Sequence, residues 1–214
     1  MRPTRSRAAA ILEEEAARAF PNVACTRLAV ADGGEGTVDA VVASLGGALI
    51  EATVSDPLGR PVEATYGMLP GNRAIIEMAA ASGLPLLTHA ERNPLLTSTY
   101  GTGQLVLHAL SNGATEVTIA IGGSATNDGG MGAMRALGVR FLDSAKGELE
   151  GTGADLARVS SIDTSGLDPL VSHARFRLLC DVDNPLLGPR GATRVFAPQK
   201  GANPQQIEEL EHGM

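Results

Sequence analysis

A short turn rich in glycine and polar residues joins a predicted strand to a predicted helix near the middle of the chain. The β-branched run 116–120 predicts a buried strand, and the apolar spacing over 131–137 predicts a helix. Between them, residues 121–130 read Ile-Gly-Gly-Ser-Ala-Thr-Asn-Asp-Gly-Gly. Glycine lets backbone N–H groups approach an oxyanion closely, and the start of a helix adds a favourable dipole. The turn therefore predicts an anion or substrate site, and a tight connection that merely needs glycine is the alternative.

A second acidic, glycine-rich turn has the same placement. Residues 32–37 read Asp-Gly-Gly-Glu-Gly-Thr after the predicted strand 26–31, and helical spacing follows over 38–45. Open α/β sheets bind ligands at the carboxyl ends of their strands, so the two turns predict one shared site for phosphate and a divalent cation. The predicted strand 176–180 adds a further pair of carboxylates, because residues 181–185 read Asp-Val-Asp-Asn-Pro. Neither the Walker loop nor the G-x-G-x-x-G fingerprint occurs in the chain.

Composition excludes several classes of function. Of the 214 residues, 43% are hydrophobic and only 3% aromatic, which predicts an α/β protein with an aliphatic core. The net charge of −7 argues against binding to nucleic acid or to anionic membranes. The chain has no apolar leader and no apolar run of about 18 residues, so we expect a cytoplasmic protein. Cys25 and Cys180 are expected to be buried free thiols rather than a disulfide.

The remaining patterns predict further elements and a domain boundary. Helices are expected over 7–20, 104–110 and 154–162, a strand over 50–54, and a surface loop over 142–154. The turn Pro70-Gly71-Asn72 separates two predicted strands, which indicates a hairpin and hence a change to antiparallel pairing near residue 60. A helix is predicted to begin after Asn203, with Asn203 as its N-cap, Pro204 first and Gln206 third.

Six ordered blocks of this sequence resemble the glycerate kinase family of bacteria, whose members phosphorylate D-glycerate with ATP. The blocks lie at residues 31–37, 77–84, 97–103, 122–130, 180–186 and 196–202. They read ADGGEGT, EMAAASGL, TSTYGTG, GGSATNDGG, CDVDNPL and FAPQKGA. A different small-acid or sugar kinase would explain the glycine-rich turns but not all six blocks.

The resemblance implies an α/β, two-domain glycerate-kinase-like fold. Residues 1–60 would form part of a Rossmann-like domain, and residues 61–214 a mixed α/β domain truncated at its C-terminus. Family members are longer, and their opening strand and C-terminal portion have no match here, so we expect a fragment. The implied cofactors are ATP and Mg²⁺, the implied substrate is D-glycerate, and the 2-hydroxyl is the expected acceptor. The sequence carries no signal for oligomeric state.

Phosphoryl transfer depends on positioning and charge neutralisation more than on covalent chemistry, and this decides the candidate residues. The expected substrate and phosphate contacts are Gly122, Gly123, Ser124, Thr126, Asn127, Arg190 and Lys200. The candidates for the general base are Asp32, Asp128 and Asp181, and those for Mg²⁺ are Asp128, Asp181 and Asp183. An Asp at a strand end often only caps a turn, and that alternative stands for each of them.

A non-catalytic remnant is the competing hypothesis. Because the missing segments should complete one wall of the active cleft, such a chain would at most bind glycerate or a related hydroxy acid.

Overall fold

The computed structural model describes residues 5–20, 23–25 and 33–214 of the chain. The predicted strand 26–31 and the candidate residue Asp32 lie outside these described residues.

The strands form one five-stranded mixed sheet and one small two-stranded sheet. They are β1 (Ala48–Ser55), β2 (Pro61–Leu69), β3 (Arg73–Glu77), β4 (Glu116–Ala120), β5 (Arg140–Leu142), β6 (Ser161–Asp163) and β7 (Arg175–Leu179). The large sheet has the order β1-β2-β3-β4-β7, and β5 pairs with β6. Strands β1, β2 and β3 are antiparallel neighbours, whereas β3, β4 and β7 run parallel. The carboxyl ends of β3, β4 and β7 therefore meet at one edge.

The described residues contain eight α-helices. They are α1 (Arg5–Ala19), α2 (Thr37–Leu45), α3 (Ala79–Ser82), α4 (Tyr100–Ser111), α5 (Met131–Ala136), α6 (Pro169–His173), α7 (Ala192–Phe196) and α8 (Pro204–Gly213). Short 3₁₀ turns cover Leu84–Leu86, His89–Glu91, Gly153–Arg158 and Pro198–Lys200. The cap expected for α8 is confirmed, since Asn203 Oδ1 accepts from the Gln206 N–H and Gln206 Oε1 accepts from the Asn203 N–H.

The apolar core lies mainly between the large sheet and α4. Leu105 and Ala109 of α4 are fully buried in the same cluster as Ile76 of β3 and Val117 of β4. On the opposite sheet face, α2 contributes Val38 to a smaller cluster with β2 and β3. These two layers hold α2 and α4 on either side of the strands that end at the candidate site.

The α/β class and the mixed sheet confirm the expected fold. The turn near residue 60 joins β1 to β2, and these strands pair from Ala48 opposite Met68 to Ser55 opposite Pro61. The division into domains at residues 1–60 and 61–214 stays a prediction. The pairing of β1 with β2 carries the large sheet across residue 60.

Two local predictions are wrong. The helix expected over 154–162 is only the 3₁₀ turn Gly153–Arg158, because the chain then extends into β6 and pairs with β5. Cys25 and Cys180 are free but exposed rather than buried. Cys180 follows β7, whose residues are all exposed, so an apolar strand pattern there does not indicate burial.

None of the helices within the described residues combines the length and the apolar character needed to cross a membrane.

Candidate active site

The turn after β4, residues 121–128, lies between the ends of β3 and β7, and we call it the β4 turn. The Ile121 N–H donates to the Leu179 carbonyl at the end of β7, with 3.3 Å between N and O. On the other side, the Met78 N–H donates to the Ala120 carbonyl at 2.9 Å. Parallel pairing thus carries the turn to the edge where open α/β sheets bind ligands.

The β4 turn also contacts the second glycine-rich turn. The Gly122 N–H donates to the Gly33 carbonyl at 3.0 Å, so this amide is engaged within the protein. A β-carbon on Gly122 would lie 2.8 Å from the Gly33 oxygen and 3.1 Å from the Gly34 α-carbon. Glycine at 122 is therefore required for close approach of the two turns, which supports the prediction that they share a site.

Further hydrogen bonds fix the other side of the β4 turn. The Leu84 N–H donates to the Gly123 carbonyl, the Ala125 N–H donates to Ser82, and the Thr97 hydroxyl donates to Ala125. By contrast, five amides of the turn donate to no other group among the described residues; they belong to Gly123, Ser124, Thr126, Asn127 and Asp128. A fixed turn with unengaged amides has donors that an oxyanion could accept from.

Asp128 is held by protein donors. Its Oδ2 accepts from the Thr99 N–H at 2.8 Å, the Thr99 hydroxyl at 2.7 Å and the Gly132 N–H at 3.1 Å. Its Oδ1 accepts from the Gly130 N–H at 3.1 Å, and the residue is only 2% exposed. The Thr99 hydroxyl in turn accepts from the Ala133 N–H. This geometry favours the capping alternative for Asp128, because both oxygens already anchor the start of α5.

Lys200 brings a buried cation to the β4 turn. Its Nζ donates to the Ser124 hydroxyl at 2.8 Å and to the Thr126 carbonyl at 2.6 Å. Burial lowers the pKa of Lys200 to about 8, and the negative charge of Asp128 opposes that shift. An ammonium has three N–H donors, so one is left after these two bonds. The structure thus brings together Ser124, Thr126 and Lys200 as the sequence predicted.

The turn after β7, residues 180–190, is called the β7 turn and is open to solvent. Asp181, Asp183 and Arg190 are exposed, and their charged groups bond to no other described residue. The Asn184 side-chain amide donates to the Arg190 carbonyl at 2.9 Å. Since the Leu179 carbonyl accepts from Ile121, the β7 turn begins beside the β4 turn.

Asn127 and Glu77 each make a contact that the sequence did not predict. Asn127 is 7% exposed, and its side-chain amide donates to the Thr193 hydroxyl of α7, so it links elements of the fold. Glu77 was not among the predicted site residues, yet its Oε1 accepts from the Val38 N–H in the first turn of α2 at 2.7 Å. The same signal that selected Asp181, a carboxylate at a strand end, would have found Glu77.

The described residues fit a magnesium ion only in part. Among them, no group of three or more His, Cys, Asp or Glu side chains could hold a metal ion. Mg²⁺ at kinase sites is usually held by one or two carboxylates and by substrate phosphates. The exposed oxygens of Asp181 and Asp183 suit that role, whereas the four donors around Asp128 leave its carboxylate less available for it.

Known proteins resemble the chain over nearly its full length. The profile described as the glycerate kinase family matches residues 4–214. Glycerate kinase of Bacillus subtilis strain 168 is 49% identical over 208 residues, which cover 97% of this chain and 54% of that protein. Glycerate 2-kinase of Escherichia coli K12 is 47% identical over 210 residues, which cover 98% and 55%.

A solved structure has the same fold. It is a crystal structure of a provisionally named glycerate kinase 2 from Salmonella typhimurium LT2, with a TM-score of 0.87 and 44% identity. The match covers 98% of this chain and 56% of that one, so the chain spans about half the length of the relatives it matches. The family profile and these identities together show that the chain belongs to the glycerate kinase family.

Proposed function

We propose that this chain forms the phosphate-binding and acid-binding part of an ATP-dependent kinase that converts D-glycerate to phosphoglycerate. The observation that carries the proposal is the β4 turn, where unengaged amides lie beside the ammonium of Lys200. The names of the relatives support glycerate as the substrate, and the name of the E. coli relative supports the 2-hydroxyl as the acceptor.

The β4 turn would act on the transferring phosphoryl group. Negative charge spreads over the phosphoryl oxygens during transfer, and donors fixed beforehand stabilise it without reorganisation. The amides of Gly123, Ser124 and Thr126 are such donors, because hydrogen bonds on both sides hold their turn. Lys200 adds positive charge near neutral pH, since its lowered pKa of about 8 still leaves most of it protonated.

The β7 turn would supply the groups that accept a proton, contact a metal ion or bind an anion. Asp181 and Asp183 have free carboxylate oxygens that could accept the proton of the substrate hydroxyl or contact a metal ion. Arg190 is an exposed cation for a phosphate or carboxylate. A bound Mg²⁺ would neutralise charge on the ATP phosphates. Asp32 stays a candidate base outside the described residues.

Asp128 takes a different part in this proposal. Its four hydrogen bonds join Thr99 to the start of α5, so it positions the β4 turn rather than contacting the reacting atoms. Both cysteines are free, which suits the reducing cytoplasm that the proposal includes.

The test is ATP-dependent turnover by the 214-residue chain. Purified chain, D-glycerate, ATP and Mg²⁺ are incubated, and phosphorus NMR identifies the phosphoglycerate isomer. We expect 2-phosphoglycerate, with Asp181→Asn slowing kcat by on the order of 10²-fold and exposed Glu51→Gln leaving it unchanged. Tartronate and lactate as acceptors define the acid specificity.

A binding-only role is the second candidate, favoured by the coverage of about half of each relative. It predicts no turnover while the full-length B. subtilis relative is active beside it, together with calorimetric binding of D-glycerate. Absence of both turnover and glycerate binding would contradict both candidates.

A further inference from the structure

Arg92 has a buried guanidinium nitrogen without a protein partner. Its Nε is shielded from solvent and finds no hydrogen-bond acceptor among the described residues. The rest of the guanidinium likewise bonds to no other described residue, although the side chain is half-buried. Burial of a charged donor without an acceptor is costly, so such groups in native structures usually mark a missing partner.

The other partly buried or clustered arginines are paired with carboxylates. These ion pairs are Arg60 with Asp56 and Glu91, Arg135 with Glu148 and Glu150, Arg158 with Asp143 and Asp155, and Arg194 with Glu208 and Glu211. Arg135 also has a buried, unpartnered Nε, but its terminal nitrogens reach acidic residues. Arg92 differs because none of its guanidinium nitrogens has an anionic partner in the described residues.

The backbone of Arg92 lies against the segment that leads from Lys200. Gly201 has a φ of +97°, and a β-carbon there would overlap the Arg92 carbonyl oxygen and lie 2.8 Å from the Arg92 β-carbon. Gly201 directly follows Lys200, whose ammonium contacts the β4 turn. The backbone at Arg92 therefore contacts the segment that carries Lys200.

The residues after Arg92 contact α8 and the β4 turn. Asn93 accepts from the Gln206 side chain at the start of α8, and the Thr97 hydroxyl donates to Ala125 in the β4 turn. The neighbouring Glu91 is already bonded to Arg60, so it is not available as a counterion for Arg92. Arg92 thus begins a segment that α8 holds near one end and the β4 turn holds at the other.

We propose that Arg92 binds an oxyanion of the substrates, a carboxylate of the hydroxy acid or a phosphate. A guanidinium presents a planar pair of donors that matches either group through two parallel hydrogen bonds. The identity of the anion rests on the proposed function, whereas oxyanion binding by Arg92 does not depend on turnover.

The test is calorimetric titration at low salt of the wild-type chain, Arg92→Gln, Arg92→Lys and the control Arg73→Gln. Arg73 is exposed at the opposite end of β3, where its Nε donates to the Pro70 carbonyl. The probes are D-glycerate, inorganic phosphate and glycerol, which lacks the carboxylate. We expect Arg92→Gln to raise at least one oxyanion Kd about tenfold or more, and Arg92→Lys to raise it less. Arg73→Gln should change it less than about twofold, and glycerol should not bind.

The outcomes separate the two oxyanions and the two proposals. A loss confined to D-glycerate assigns the carboxylate to Arg92, and a loss confined to phosphate assigns the phosphoryl group. Unchanged affinities in both Arg92 variants overturn the inference, and so does a wild-type chain that binds neither oxyanion at about 10 mM. Wild-type turnover with Arg92-independent binding would leave the proposed function standing, whereas Arg92-dependent binding without turnover would refute only the function. If Arg92→Gln does not fold, Arg92→Lys decides by the same criteria.

Discussion

The β4 turn and the β7 turn end adjacent parallel strands, but their acidic residues have opposite surroundings. Asp128 in the β4 turn is 2% exposed and accepts four hydrogen bonds. Asp181 and Asp183 in the β7 turn are exposed and accept none from the described residues. Similar sequence chemistry thus produces a fixed turn on one strand and an open one on the next.

The difference separates two tasks that a phosphoryl-transfer site requires. A carboxylate that accepts several N–H and O–H donors fixes the backbone and has fewer lone pairs left for a proton or a metal ion. An exposed carboxylate can serve either purpose but holds little in place. We therefore expect substitutions in the β4 turn to lower stability and those in the β7 turn to lower activity.

The largest expected effect on stability comes from Asp128→Ala. It leaves the amides of Thr99, Gly130 and Gly132 without their buried acceptor, so we expect the free energy of unfolding to fall by about 3 kcal/mol or more. Asp181→Ala should change it by less than about 0.5 kcal/mol, because the residue is exposed. Urea unfolding followed by circular dichroism measures both changes. Equal losses of unfolding free energy would contradict the expected difference between the two turns.

Glycine substitutions compare the two turns without changing charge. Gly122→Ala forces a β-carbon to 2.8 Å from the Gly33 oxygen, and we expect a loss of about 2 kcal/mol. Gly188→Ala meets no atom within 4 Å and is strained only by its φ of +94°, so about 1 kcal/mol is expected. Thermal and urea unfolding give the ranking, and a larger loss at Gly188 would contradict it.

Lys200 makes the stability of the β4 turn depend on pH. Its folded pKa of about 8 lies below the usual 10.5, so the unfolded chain binds more protons between these values. Stability therefore rises with pH across that window, while the neutral amine keeps two N–H donors for Ser124 and Thr126. Relative to Lys200→Met, the wild type should gain on the order of 2 kcal/mol from pH 7.5 to 10. Parallel pH curves for the two proteins would show that the pKa is not lowered.

Thr99 tests the link between the β4 turn and α4 with the smallest change. Thr99→Val removes the hydroxyl that donates to Asp128 and accepts from Ala133, at nearly constant volume. We expect a loss of about 1 kcal/mol or somewhat more, while Thr99→Ser keeps both bonds and should lose less. Chemical unfolding of the matched pair gives the difference, and a serine variant as unstable as the valine variant would argue against the hydrogen bonds.

Local patterns were sufficient to predict much of the fold. The strand, turn and helix around residues 116–137 follow from apolar spacing, and α8 begins where Asn203 and Gln206 cap each other. These signals lie within a few residues of one another. The prediction for residues 154–162 is wrong because β6 pairs with β5, a contact that periodicity does not contain.

The roles of the site residues were harder to predict from the sequence, because they depend on contacts between residues that are far apart in the chain. Asp128 accepts from Thr99, 29 positions away, and this contact decides between a cap and a reactive carboxylate. Lys200 reaches Thr126 across 74 positions, so its place beside the turn was expected only from the family resemblance. Arg92 has no motif of its own, and only burial without a partner identifies it.

The most direct test of the account is a phosphate titration followed by backbone amide NMR of the labelled chain. We expect the largest shift changes at the amides of Gly123, Ser124 and Thr126, with smaller ones beside Lys200 and Arg92. The opposite edge of the sheet, around Arg73 and Arg175, should stay unchanged. Shifts concentrated at that opposite edge, or none at the β4 turn, would contradict the assignment of the β4 turn as the oxyanion site.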